Sequence, residues 1–413
     1  MASSLLVTCT GPSNTCQKKQ DKLQKDYKLI FGDQKLNEWL SWGFDFTKSE
    51  RERRRTLNVR FSYLHGNGYA LNLVDTPSGD YEYHVAKAVA FSDNAVLVIP
   101  ADTAADKNWG QAFVHARIAY GLGIRSLIVA ISKMDLVFYS HVTYDEICTA
   151  VIAQLKDIGF EDSSITCMPF SAVYYRPEDL KTSLLKWHTG KPLGDTLMNL
   201  KVPLRQFDMP FRMMIFDIYR ISGVGTVVIG KVISGTVVTG AFVWPLLYDS
   251  TGETKSIEYA YSSRTYAAAG DVVGINIRGM SRPYQNRRLK MISLVSQDQI
   301  RAASELLVFI DVISCPFNLH VGASCRLDGN GQSTGCRIKQ IVKQIDKESA
   351  KVLAVDPPRL QASHTYTAVL QMLKRVYMET YEDYGRQGMF MLMESNVLIG
   401  YGMVKEITKY YDV

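Results

Sequence analysis

Two aspartates are placed where a carboxylate could read a ligand. Asp75 closes the apolar run GYALNLVDTP, and Asp135 closes SLIVAISKMD. A carboxylate accepts two N–H bonds side by side, which suits a ligand edge with paired donors. Lys133, two places earlier, offers a long cationic side chain, and Ser132 opens the same tetrapeptide. Ser171 and Ala172 end a further apolar run, ITCMPFSA, and offer backbone N–H groups at a strand end. Thr56, in ERERRRTL, offers a hydroxyl beside a basic run. Upstream lies a glycine-led loop, GPSNTCQK, from Gly11 to Lys18.

Each signal has a plainer reading. Asp75 could cap a helix, Asp135 could shape a turn, and RERRR could be a solvated basic face. What raises the joint reading is their order along the chain, each at a strand end or in a loop.

A phosphate-binding loop wraps phosphate with backbone N–H groups at a helix N-terminus, and its pattern is GxxxxGK[ST]. Gly11 keeps the first glycine. Cys16 stands at the second glycine, Gln17 at the lysine and Lys18 at the hydroxyl residue that binds Mg²⁺. The charge, the metal ligand and the close-approach glycine are therefore all replaced. Lys18 reads as a surface residue of the run QKKQDKLQK.

The elements that must position these groups follow an α/β pattern. Apolar strands at 5–10, 68–77, 94–101, 126–135 and 165–172 are expected, with a helix over 109–123 stopped at Gly121 or Gly123. Alternating strands and helices predict a mostly parallel, doubly wound sheet, whose ligands bind at the carboxyl ends of its strands. After residue 200 the texture becomes Val, Ile, Tyr and Thr with closely spaced glycines, which predicts two antiparallel β-barrels. The expected organisation is 1–203, 204–300 and 301–413, with LRQFDMP (204–210) as linker.

The series ERERRRTL, DTP, SKMD and FSA resembles the G domain of elongation factor 1-alpha and its relatives, eukaryotic release factor 3 and the ribosome-rescue GTPase that partners Pelota. The stretches 110–135, 220–240, 267–280 and 389–407 are also similar to that family, so the resemblance covers most of the chain. It implies a P-loop-type G domain followed by two barrels, with GTP or GDP as ligand and Mg²⁺ at Thr56 and Asp75. By the family pattern, Arg54 and Arg55 replace Gly and Ile after ERER. Ser78 stands where a glycine meets the γ-phosphate, Gly79 follows it, and the water-positioning histidine is absent from that place. The resemblance thus implies a G domain degenerate on its phosphate side and readable on its guanine side. YRISGVGTVV leans to the elongation factor, whereas PFRM and AAAGD lean to the release and rescue factors.

The bulk properties fit this picture without selecting it. The chain has 413 residues and a net charge of +6, a mildly basic balance compatible with an RNA partner. No apolar run approaches the roughly eighteen residues of a membrane span, and the start lacks a basic region ahead of its apolar patch. The seven cysteines form no CxxC and point to reduced thiols and a cytoplasmic protein. Expected partners are the ribosome or tRNA, with a release or rescue protein as a further candidate, and neither membrane nor DNA. The expected function is a pseudo-GTPase adaptor with weak guanine-nucleotide binding and no catalytic residue. A divergent but active elongation or release factor and a non-ribosomal scaffold are the alternatives.

Overall fold

The computed structural model describes residues 47–53, 55–66, 69–77, 82–103, 109–171, 185–200, 202–245, 251–260, 262–279, 291–294, 301–347 and 349–411. The chain divides into two compact units near residue 201.

The first unit opens with a short helix, α1 (Lys48–Arg53), and two strands, β1 (Arg60–Gly66) and β2 (Tyr69–Asp75). These strands pair antiparallel, with Arg60 opposite Asp75. Helix α2 (Glu82–Phe91), β3 (Ala95–Pro100), α3 (Gly110–Gly121), β4 (Leu127–Ser132), α4 (His141–Ile158), β5 (Ile165–Pro169) and α5 (Leu193–Met198) follow. Strands β3, β4 and β5 form a parallel sheet in that order. Five consecutive residues of β4 are buried, as expected of a central parallel strand covered on both faces.

Helix α4 shows why this sheet is covered. Tyr144, Ile147, Cys148, Val151, Leu155 and Ile158 recur at helical spacing and are all buried. Ser140 caps its first turn by accepting a bond from the Thr143 N–H at 3.2 Å. Gly159 ends it at φ 120°. The core joins these side chains to Ile99, Val129, Ile131, Phe113 and Ala116.

The parallel sheet and the helix over 109–123 are as expected. One strand differs in its pairing. The run ending at Asp75 forms an antiparallel hairpin with Arg60–Gly66, a strand not anticipated. The strand expected at 5–10 lies outside the described residues.

Among its described residues the second unit is built of strands, apart from one helical turn, Tyr381–Tyr384, and the 3₁₀ turn after it. Its first part runs β6 (Arg212–Ile221), β7 (Gly225–Ser234), β8 (Thr236–Val238), β9 (Phe242–Pro245), β10 (Gly252–Tyr259), β11 (Ser262–Arg264), β12 (Tyr266–Ala268), β13 (Val272–Arg278) and β14 (Met291–Leu294). The order β10-β13-β7-β6-β14-β9 closes on itself through the β9–β10 pair, giving a six-stranded antiparallel barrel. Its core holds Phe211, Met213, Val228, Val232, Val273 and Ile275.

The second part runs β15 (Ala303–Val312), β16 (Ser324–Gly329), β17 (Gln332–Ile345), β18 (Val352–Val355), β19 (His364–Val376), β20 (Met389–Glu394) and β21 (Val397–Tyr410). The order β16-β20-β21-β15-β19-β17 closes through β16–β17. The alternation of buried and half-buried residues along much of β15 marks one face for this second core. Arg212, at the start of β6, is buried and forms a 3.2 Å ion pair with Glu379, which follows β19. No helix among the described residues is long and apolar enough to cross a membrane.

Candidate functional site

The carboxyl ends of β3, β4 and β5 bring the base-reading candidates together. Ser132 is the last residue of β4, and its hydroxyl donates to the Ile99 carbonyl of β3 at 3.3 Å. Lys133 follows in the left-handed conformation, φ 58° and ψ 34°. This residue turns the chain sharply out of the strand and into a single 3₁₀ turn, Met134–Val137. The Met134 N–H donates to the Phe170 carbonyl at 3.3 Å, and the Phe170 N–H to the Ile131 carbonyl at 2.8 Å. These bonds seat the loop after β4 against the loop after β5.

Two side-chain contacts complete the arrangement. The Ser171 hydroxyl donates to Asp135 Oδ1 at 2.6 Å. Ser171 is buried, whereas Asp135 is half-buried. A carboxylate has about four lone-pair sites, and this bond uses one, so Asp135 keeps the acceptor capacity for two N–H donors of a base. Lys133 Nζ forms a 2.7 Å ion pair with Asp102 Oδ2, on the 3₁₀ turn that follows β3. Asp102 is a residue that the sequence reading did not single out.

The second group lies at the hairpin. Thr56 and Asp75 are both buried, Thr56 just ahead of β1 and Asp75 at the end of β2. The segment carrying Thr56 is held by Glu50, another residue sequence reasoning missed. Glu50 is fully buried. Its Oε2 accepts from the Thr47 N–H at 3.1 Å, the Thr47 hydroxyl at 2.7 Å and Arg60 at 3.3 Å. Its Oε1 accepts from the Leu57 and Asn58 N–H groups, both at 3.1 Å. Thr47 Oγ1 in turn accepts from the Glu50 N–H at 3.2 Å, which completes a reciprocal capping box on α1. Burial pushes the Glu50 carboxyl up, but the bonds from Thr47, Leu57 and Asn58 outweigh it and hold its pKa at about 2. The motif Thr47-x-x-Glu50 was the available signal.

Gly11, Cys16, Gln17, Lys18, Ser78, Gly79 and Ala172 lie outside the described residues, so the phosphate-side candidates are known here by sequence alone.

A parallel sheet with its polar loops at the strand ends, followed by two closed barrels, is the architecture of the translation GTPases. Residues 4–199 match the family model of the elongation factor Tu GTP binding domain, and residues 307–405 match that of the GTP-eEF1A C-terminal domain-like family. The two matched stretches are translation GTPase domains, and over most of its length the chain is similar to elongation factor 1-alpha. Elongation factor 1-alpha of Mucor circinelloides f. lusitanicus is 27% identical over 386 residues, covering 89% of this chain and 84% of the relative. That of Archaeoglobus fulgidus is 29% identical over 398 residues, covering 96% and 91%. Among solved structures, the S. cerevisiae Ski7 GTPase-like domain, bound to GDP and inorganic phosphate, has a TM-score of 0.72 at 14% identity, covering 95% and 91%. That likeness concerns the fold.

Proposed function

We propose that this protein is an elongation factor 1-alpha-like pseudo-GTPase. It acts as an adaptor on the ribosome or tRNA, or with a release or rescue factor, and binds guanine nucleotide weakly without turning it over. The observation that carries the reading is the 2.6 Å bond between Ser171 and Asp135, which joins the two base-reading loops. The residues at this end fit a guanine: a carboxylate for its N1–H and N2–H edge, the Lys133 stem for its face, and backbone N–H groups near Ser171 for O6.

The phosphate side supports the other half of the proposal. Cys16, Gln17 and Lys18 replace the close-approach glycine, the cation and the Mg²⁺-binding hydroxyl, and Ser78 and Gly79 lack the water-positioning histidine. Phosphoryl transfer depends chiefly on positioning and charge stabilisation, so losing these groups together removes most of the catalysis. If Mg²⁺ binds, Thr56 and Asp75 are the residues that hold it. In this reading 1–203 is the G domain, and 204–300 and 301–413 are the barrels that meet the partner.

Titration with fluorescent GDP and GTP, with and without Mg²⁺, followed by single-turnover hydrolysis, tests the nucleotide half. Weak binding without turnover is expected. Tight, Mg²⁺-dependent GTP binding with turnover would make this an active factor instead. Ribosome co-sedimentation tests the adaptor half. Binding that weakens with salt is expected if RNA phosphates take part, and none at low salt would leave a scaffold away from the ribosome.

A further inference from the structure

The tetrapeptide Ser132–Asp135 is tied to the ends of β3 and β5. Ser132 bonds Ile99 O, Lys133 bonds Asp102, Met134 bonds Phe170 O, and Asp135 accepts from Ser171. These partners fall between residues 99 and 171. The groups that would touch a base are therefore tied to three neighbouring strand ends.

Asp102 has a specific part in this. Lys133 and Asp102 are both well exposed, with side chains 42% and 32% accessible, so their pair adds little to fold stability. Its effect is on orientation. A lysine side chain is long and samples many rotamers. Fixing its ammonium at 2.7 Å from Asp102, with the backbone turned at φ 58°, fixes both ends of the alkyl stem. A stem held at both ends is a flat apolar wall, which suits the face of a purine.

We infer that Asp102 is a positioning residue acting through Lys133, in a site that takes the guanine base itself, so that guanosine, GDP and GTP bind with similar affinity and without Mg²⁺. This rests on the guanine-site reading proposed above. The ligand class is guanine nucleosides of any phosphate number. Phosphates contribute little because Gln17 and Lys18 stand where the phosphate-binding lysine and the metal-binding hydroxyl would be.

Calorimetric titration of the full chain with guanosine, GDP, GTP and adenosine, with Mg²⁺ and with EDTA, tests the inference. The three guanine ligands are expected within about threefold of one another, adenosine weaker, and EDTA without effect. Asp102→Asn and Lys133→Met are each expected to weaken all three by about five- to tenfold, with an unchanged melting temperature. The double variant is expected to lose no more than Lys133→Met alone. Additive losses would overturn the positioning role. GDP or GTP binding more than about tenfold tighter than guanosine, or only with Mg²⁺, would overturn the phosphate-independent site while leaving guanine recognition intact. Absence of binding by every guanine ligand would overturn the guanine-site reading and this inference with it.

Discussion

Ser171 donates to Asp135 across 36 positions of sequence, at 2.6 Å, and so couples the loop after β5 to the loop after β4. A hydrogen bond to a charged acceptor contributes about 1.5–3 kcal/mol. Ser171→Ala is expected to weaken guanine-nucleotide binding by roughly tenfold in a fluorescent-GDP titration. Asp135→Asn replaces an acceptor by a donor at one position. It should lose guanine and gain relative affinity for xanthine, whose C2 carries an oxygen in place of the amino group, and a competition series with the two bases would read this directly.

Glu50 gives a pH dependence with a definite sign. Its folded pKa is about 2, below its ordinary 4.5. Its contribution is therefore complete above the unfolded value and is lost as pH falls from about 4.5 to about 2. The shift corresponds to roughly 3 kcal/mol of stability at neutral pH. Glu50→Gln is expected to cost about 2–4 kcal/mol at pH 7, because an amide cannot accept on both sides. Urea unfolding of wild type and variant between pH 7 and pH 2.5 should show the gap closing as pH falls.

Arg212 and Glu379 form a buried ion pair in the second unit. The Arg212 guanidinium also donates to Phe211 O at 3.2 Å and lies 5.7 Å from the Tyr384 ring centre. Removing the carboxylate withdraws a charged partner from a buried guanidinium. Glu379→Ala is expected to destabilise this unit by about 3 kcal/mol. Arg212→Met combined with Glu379→Leu should recover much of that loss in a denaturant melt.

Gly235 sits at φ +67° between β7 and β8, where an added Cβ would lie 2.6 Å from Met209 O and 2.7 Å from Phe211 N. Strain and overlap act together. Gly235→Ala is expected to lower stability by about 2–3 kcal/mol, visible as a lower denaturant midpoint with unchanged slope.

The strands around Asp135 were legible because buried parallel strands carry unbroken apolar runs, as LIVAI does in β4. Helix α3 was legible from its period and its glycine stop, with Gly123 at φ 89°. Strand β1 was not. RFSYLHG mixes polar and apolar residues, and its pairing with β2 is a tertiary choice. Glu50 was hidden for another reason: in the run ERERRR it reads as one charge among many, although it is buried. Asp102 could not be found from spacing. It lies 31 positions from Lys133, and only the parallel pairing of β3 with β4 brings them together.

The two barrels each complete their own hydrogen-bonded ring, and among the described residues only β11 and β18, of three and four residues, extend a ring beyond its closure. A closed ring needs no outside strand to satisfy its backbone. Each ring also surrounds its own apolar core. Each ring and its core are therefore supplied by that barrel's own strands. Substitutions in the sequence before residue 202 leave the composition of both rings untouched, so the surfaces that the barrels present can be inherited while that sequence drifts.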